Sequence, residues 1–392
     1  MTLVGSARSE IQDEPTVFRK GGEDELMKRR NQIYAFWALA CIFAAPLEGF
    51  SMQPPPDNVT PDGTILIKDL SVPLSSLLSQ EAHAYMLHLL RDRPFEGGPN
   101  DSDIKAARAF QDKIMNGFLV PIRARYSVNV EQRTIAGIYT DVVTPKDGVV
   151  PKNRNKVLLN VHGGGFTTGA RTAALVESIP IASIEKIEVI TIDYRMGPEY
   201  KFPAASEDVA AVYKEVLKEH APKDIGLYGR SAGGMLSGMS VAWFETHNLP
   251  NPAAIGVLCA GLGNMFVGDA AQLAGPLNGM TMRPAPPQKS DGPPLRGPAY
   301  LSDADPKDPL VYPINSPDLL AKFPPTLFVT STRGFDFGAA IASENALTRE
   351  GVDAELHVWD GLPHAFWYNS DLPESREVYE VIARFFDRHL GQ

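Results

Sequence analysis

The sequence predicts an α/β protein built on a parallel, doubly wound sheet, and three observations carry that expectation. First, six short and continuous apolar runs recur along the chain: Val157–Val161, Glu188–Asp193, Asp224–Tyr228, Ala254–Leu258, Thr326–Val329 and Ala354–Val358. Strands covered on both faces read as unbroken apolar runs, whereas half-exposed strands alternate. Second, helical stretches lie between most of them, notably Ala204–His220, Ala232–His247, Ala339–Glu350 and Arg376–Leu390. Strands alternating with helices imply parallel pairing. Third, 392 residues that are 44% hydrophobic and 21% charged are enough to bury a substantial core.

The elements before this region differ. Residues 51–74 contain a polar, Pro-rich stretch, Gln53 to Asp62, and read as a linker. From Ser75 to about Phe118, apolar residues fall at helical spacing (Leu77, Leu78, Ala82, Tyr85, Met86, Leu89, Leu90, then Ile104, Ala107, Phe110, Ile114). Arg93-Pro94 and Gly97-Gly98-Pro99 break the pattern into two or three helices. Tyr126 to Val143 alternates as antiparallel strands do and stops at Thr144-Pro145. One Pro- and Gly-rich segment, residues 264–310, interrupts the strand–helix rhythm, and an excursion of that length suggests a functional loop or lid.

Composition also excludes partners and cofactors. A formal charge of −10 with no basic block argues against nucleic acid. The two cysteines, Cys41 and Cys259, stand apart and belong to no C-x-x-C or Cys/His cluster, so neither a zinc site nor a disulfide framework is expected. Within residues 1–50, Met27-Lys-Arg-Arg30 precedes the apolar run Ile33–Ala45. The run is short for a bilayer span but suits a secretory signal, with a buried helix as the alternative. The expectation is export, periplasmic or secreted, directed by residues around 27–50, with no stable membrane span in the mature protein. Ala38-Leu-Ala-Cys41 loosely resembles a lipoprotein cleavage box, which makes lipid anchoring at Cys41 the minority reading.

Two motifs carry chemistry. Tyr228-Gly-Arg-Ser-Ala-Gly-Gly234 has G-x-S-x-G spacing, with Ser231 between a predicted strand and a predicted helix. That context distinguishes a nucleophile elbow from an ordinary glycine-rich turn, because a tight strand-to-helix turn lifts the hydroxyl above the sheet. His162-Gly-Gly-Gly-Phe166 follows the strand Val157–Val161. Consecutive glycines let backbone N–H groups converge on a developing oxyanion. The alternatives are a flexible glycine loop and a phosphate cradle, and since no Gly-Lys-Ser/Thr follows, a P-loop is excluded. The matching base should be a histidine near the C-terminal end of the sheet, and His364, in Gly361-Leu-Pro-His-Ala-Phe366, has that position. His357 lies within a strand, and His220 and His247 end helices, where structural roles are the simpler reading.

These residues, together with Asp193-Tyr-Arg-Met-Gly-Pro-Glu199, Phe202-Pro-Ala-Ala205 and Asp208, give the chain a resemblance to the hormone-sensitive-lipase-like branch of α/β-hydrolases, over about residues 70–390. The resemblance implies an eight-stranded, mostly parallel sheet forming a catalytic domain over 126–392, with residues 75–125 as a helical cap that part of 264–310 completes. It implies a serine carboxylesterase acting on small-molecule esters, short- to medium-chain or aromatic, without metal or other cofactor. Ser231 would be the nucleophile and His364 the base, while Gly163, Gly164 and the N–H of Ala232 would form the oxyanion hole. Pairing into a homodimer through the sheet edge is also a family habit.

The chain departs from that pattern at two places. Arg230 stands where Asp is usual before the nucleophile, which changes the charge beside the elbow but removes no catalytic group. The acid's usual slot, counted back from His364, is Gly334. Asp336, two residues later, is the expected substitute orienting the imidazole. Two further readings stay open on the same scaffold: a small-molecule binding protein that has lost part of the triad, and an amidase or carbamate hydrolase using the same triad.

Overall fold

A computed structural model describes residues 59–60, 63–67, 71–92, 103–279 and 299–392. The expected signal segment and Cys41 lie outside the described residues. The chain divides into two units, residues 1–71 and 72–392. In the first, an isolated antiparallel bridge joins Val59 and Ile65.

The second unit is an eight-stranded sheet in the order β1-β2-β4-β3-β5-β6-β7-β8. Its strands are β1 Val128–Ile135, β2 Ile138–Pro145, β3 Val157–Val161, β4 Glu188–Ile192, β5 Ile225–Arg230, β6 Ala254–Leu258, β7 Thr326–Arg333 and β8 Ala354–Pro363. β1 and β2 form an antiparallel hairpin attached antiparallel to β4, and all pairings from β4 to β8 are parallel. The helices are α1 Gln80–Asp92, α2 Ile104–Arg125, α3 Thr172–Glu185, α4 Ala204–Val216, α5 Ala232–Thr246, α6 Gly268–Leu277, α7 Pro317–Leu320, α8 Phe337–Arg349 and α9 Pro373–His389.

The unbroken apolar strands have their expected cause, since each face of the sheet carries its own core. On β3, Val157, Leu159 and Val161 face a core shared with Val209 of α4, Leu236 of α5 and Leu347 of α8. Leu158 faces the other, shared with Met86 of α1, Met115 of α2, Ile179 of α3 and Phe386 of α9. Side chains alternate across a strand, so a strand buried on both sides needs apolar residues at every position.

Four elements differ from the sequence expectation. Helix α2 continues past Phe118, through Pro121, to Arg125, because Leu119 and Ile122 bury their side chains on that path. Helix α3 had no amphipathic signature to reveal it; most of its residues are buried, the polar Glu177, Ser178 and Glu185 included, so no polar stripe marks its period. Strands β7 and β8 run beyond Val329 and Val358, through an irregularity between Ser331 and Arg333, until Arg333 pairs with Pro363. The sequence there contains Gly361 and Pro363 and reads locally as loop. Pairing overrides that preference and sets Gly334 and His364 side by side at the ends of adjacent strands.

Within 264–310, α6 and a short 3-10 turn, Ala299–Leu301, are described. Helix α2 is tied to the segments after β3 and β4. Arg108 donates to the carbonyls of Thr167 (2.8 Å) and Gly197 (3.0 Å) and grips both carboxylate oxygens of Glu199 at 2.7 Å. Among the described residues, no helix is long and apolar enough to cross a membrane.

Helix α9 closes one face of the sheet through Phe386, whose ring lies 5.9 Å from that of Tyr228. A Cβ at Gly226 would lie 2.7 Å from Phe386 Cε1, so this strand position is a glycine because the ring fills the space. Phe386→Ala is expected to destabilise the protein by about 3–5 kcal/mol through the cavity it leaves, read as a lower denaturation midpoint in urea.

Candidate active site

The elbow forms where β5 meets α5. Ser231 holds φ 57° and ψ −121°, a conformation that L-residues adopt at a cost of about 1–3 kcal/mol and that persists only where the surroundings impose it. The imposing group is the carbonyl of Val161, at the end of β3. A Cβ at Gly229 would lie 2.1 Å from that oxygen and one at Gly233 only 1.8 Å away, so the motif's glycines allow strand, turn and helix to close on β3. The Ser231 N–H donates to Leu258 O at 2.8 Å, which pins the turn to β6. The Ala232 N–H opens the helix and has no intrahelical acceptor.

The glycine loop is held by the acceptor ends of its own peptides. His162 is fully buried and stacks on Tyr194 with ring centroids 4.4 Å apart. Burial pulls its pKa down, so the ring is neutral, and its Nδ1–H donates to Gly163 O at 2.7 Å. Gly164 O accepts from the N–H groups of Thr167 and Thr168 at 3.1 and 3.0 Å. In a trans peptide the N–H points opposite to the C=O. Fixing the carbonyls of Gly163 and Gly164 therefore also fixes the aim of the Gly164 and Gly165 N–H groups. Among the described residues, neither N–H has a protein acceptor. The N–H of Gly163, by contrast, already donates to Glu177 Oε1 at 3.0 Å. The donor role expected of Gly163 thus conflicts with a hydrogen bond it has already made, and Gly165 has the free N–H.

His364 follows β8 directly, and Asp336 stands at the start of α8. The imidazole Nδ1 lies 2.6 Å from Asp336 Oδ1, and because a carboxylate only accepts, Nδ1 carries the proton. Asp336 is fully buried, and its Oδ2 accepts from Thr330 Oγ1 at 2.6 Å. Gly334 makes this possible: a Cβ there would lie 2.7 Å from Asp336 Oδ1 and 3.1 Å from Ser331 O. The carboxylate reaches back from two residues later and fills the space a side chain at 334 would take. Phe335, between them, stacks on the His364 ring at 4.3 Å and on Phe266 at 4.9 Å, so the imidazole is held by its edge and by one face. Among the described residues, Ser231 Oγ makes no hydrogen bond to this ring; such contacts often tighten only around substrate.

Cys259, which no sequence motif links to this pair, lies beside it. Its buried Sγ accepts from the Ala365 N–H at 3.3 Å, and one ligand atom each of Cys259, Asp336 and His364 lies within 4.8 Å of the others. Burial, then the nearby Asp336 charge, pushes the thiol's pKa well up. A protonated thiol and an imidazole nitrogen already bonded to its carboxylate form a poor ligand set for a metal. His220 Nδ1 bonds Asn155 O and His247 stacks on Trp243 at 3.9 Å, in keeping with structural roles.

Comparison with known proteins shows the family and the fold. The alpha/beta hydrolase fold family profile matches residues 158–368. An acetyl-hydrolase of Streptomyces hygroscopicus is 29% identical over 287 residues, which span 71% of this chain and 92% of that protein. A versiconal hemiacetal acetate esterase of Dothistroma septosporum is 25% identical over 247 residues, 60% of this chain and 74% of its own length. Among solved structures, esterase E25 superposes with a TM-score of 0.71 at 27% identity, covering 83% of this chain and 99% of its own. An esterase of the bacterial hormone-sensitive lipase family shares the fold at 23% identity, with a TM-score of 0.65.

The placement of Asp336 can be read in solution. The wild-type protein should show a low-field proton resonance from the Nδ1–H···carboxylate bond. Gly334→Ala, whose new methyl contests the carboxylate's position, should broaden or abolish it. An unchanged resonance in Gly334→Ala would show that the carboxylate does not occupy that space.

Proposed function

Since the chain belongs to the alpha/beta hydrolase fold family and is a carboxylic ester hydrolase, we propose that it cleaves small acyl esters, acetate esters first, through an acyl-enzyme on Ser231. One observation above all carries this reading: the 2.6 Å bond between His364 Nδ1 and buried Asp336, which supplies an oriented base where the usual acid position holds glycine. The same bond weighs against the alternative of a binding protein with a broken triad, since binding alone requires no oriented imidazole.

Ser231 Oγ attacks the ester carbonyl carbon, and its proton passes to His364 Nε2. Asp336 keeps the other nitrogen protonated, which leaves Nε2 free to accept, and stabilises the imidazolium that forms. The carbonyl oxygen, now an oxyanion, is held by the N–H groups of Gly164, Gly165 and Ala232. His364 then returns the proton to the leaving alkoxide. Water attacks the acyl-enzyme by the same path in reverse, freeing the acid and restoring Ser231. Support for an acetyl group comes from the relatives, an acetyl-hydrolase and an acetate esterase. Phe266 and Phe335, stacked in line with His364, give the site an apolar wall suited to the carbon skeleton of an ester.

Initial rates with p-nitrophenyl acetate, butyrate and longer esters test this. The rate should be highest on the short esters. Ser231→Ala is expected to lower kcat/KM by about 10³-fold or more, and Asp336→Asn by about 10²–10⁴-fold with the fold intact. Wild-type rates no faster than those of Ser231→Ala on every ester would contradict the assignment.

A further inference from the structure

Behind the three catalytic loops lies a buried polar cluster that the reaction itself does not use. Glu177, on α3, is 6% exposed and has polar partners on four sides. Its Oε1 accepts from the N–H of Gly163 at 3.0 Å and from the hydroxyl of Tyr368 at 2.5 Å, and Oε2 accepts from Asn160 Nδ2 at 3.1 Å. Arg230 Nε lies 3.5 Å from Oε1. Arg230 also donates to the Tyr368 hydroxyl at 2.5 Å, and its guanidinium sits 4.0 Å over the Tyr368 ring. The Tyr228 hydroxyl donates to the Glu177 backbone carbonyl at 3.3 Å.

Each partner belongs to a different part of the site. Asn160 lies in β3 just before the glycine loop, and Gly163 is in that loop. Arg230 immediately precedes Ser231. Tyr368 closes the short turn that begins two residues after His364. A Cβ at Gly163 would lie 2.7 Å from Arg230 Nη2, so the loop and the guanidinium are in direct contact. The Arg230 side chain is 7% exposed and that of Glu177 3%. Burying two ions costs desolvation that their attraction repays only in good geometry, and apolar replacements are often as stable. What this pair offers that an apolar pair cannot is direction: a charged acceptor fixed at one point, on which three loops converge.

We propose that Glu177 is the positioning residue of the active site, aligning the glycine loop, the elbow and the histidine turn through Gly163, Arg230 and Tyr368. Holding the Gly163 N–H from one side, while His162 holds the Gly163 carbonyl, locks the peptide that carries the Gly164 N–H. The oxyanion donors are then set before substrate arrives. Arg230, at the position where the resemblance leads one to expect aspartate, is the charge that keeps the Glu177 carboxylate in place. The inference rests on the serine-esterase reading above.

The test compares wild type, Glu177→Gln, Glu177→Ala and Tyr368→Phe, with active sites counted by stoichiometric reaction with diethyl p-nitrophenyl phosphate. On p-nitrophenyl acetate, Glu177→Ala is expected to lower kcat per titrated site by about 10²-fold, the scale of a misplaced catalytic group, with KM little changed. Affinity for a trifluoromethyl ketone, which becomes an oxyanion on the serine, should fall in parallel. Tyr368→Phe, which keeps the ring over Arg230, should lose about tenfold in the same two quantities. Glu177→Gln retains an oxygen acceptor for Gly163 and should fall less than Glu177→Ala. A purely structural role would reduce only the number of titratable sites. Wild-type kcat per site and wild-type ketone affinity in Glu177→Gln and Tyr368→Phe would overturn the proposal, whether or not Glu177→Ala folds. A wild-type enzyme no faster than Ser231→Ala would overturn the esterase reading itself, so the two failures are distinct.

Discussion

The carbonyl of Val161 is the constraint on which the site depends. It ends β3 at the point where β5 turns into α5, and it leaves no space for a side chain at Gly229 or Gly233. Once those residues are glycine, the turn can close, and closing it forces Ser231 into a positive φ that the chain would otherwise avoid. The same oxygen sits one residue before His162, so the crowding that presents the serine also sets where the glycine loop begins. Nucleophile and oxyanion donors share one origin in the packing of two adjacent parallel strands.

Around that point the fold solves two electrostatic problems in different ways. Asp336 is a buried carboxylate satisfied by a hydroxyl and an imidazole, partners that move protons or orient the group that does. Glu177 is a buried carboxylate satisfied by a backbone N–H, a phenol, an amide and a guanidinium, groups that stay in one state through the reaction. Burial disfavours Arg230's charge, but Tyr368 and Glu177 outweigh that, and its pKa lies above the usual arginine value. The first carboxylate suits a group that shares in chemistry, and the second suits a fixed strut.

The legible parts of the molecule were those written in neighbouring residues. Strands β3 to β7 could be read from their continuous apolar runs because both faces of the sheet are covered there, whereas β8, at the sheet edge, is only partly buried. Ser231 and the glycine loop could be singled out because a strand precedes each motif. Asp336 was harder, since its reach back past Gly334 depends on β7 and β8 pairing as far as Arg333 and Pro363, which no local pattern announces. Which glycine N–H groups are free could not be seen at all: Gly163 is spent on Glu177, an acid on the helix after the glycine loop, which has no amphipathic period and belongs to neither motif. A glutamate set between the apolar residues Leu175, Val176, Ile179 and Ile181 was the available signal, because a charge is rarely buried without a partner.

In the proposed reaction Ser231 is the nucleophile, activated by His364 as Asp336 holds it. The most direct measurement is peptide mapping by mass spectrometry of the covalent adduct left by diethyl p-nitrophenyl phosphate on wild type and on His364→Ala. One phosphoryl adduct is expected, on Ser231, formed rapidly in wild type and far more slowly in the variant. An adduct on any other residue, or ester hydrolysis that continues at full rate with Ser231 unmodified, would contradict the proposed reaction.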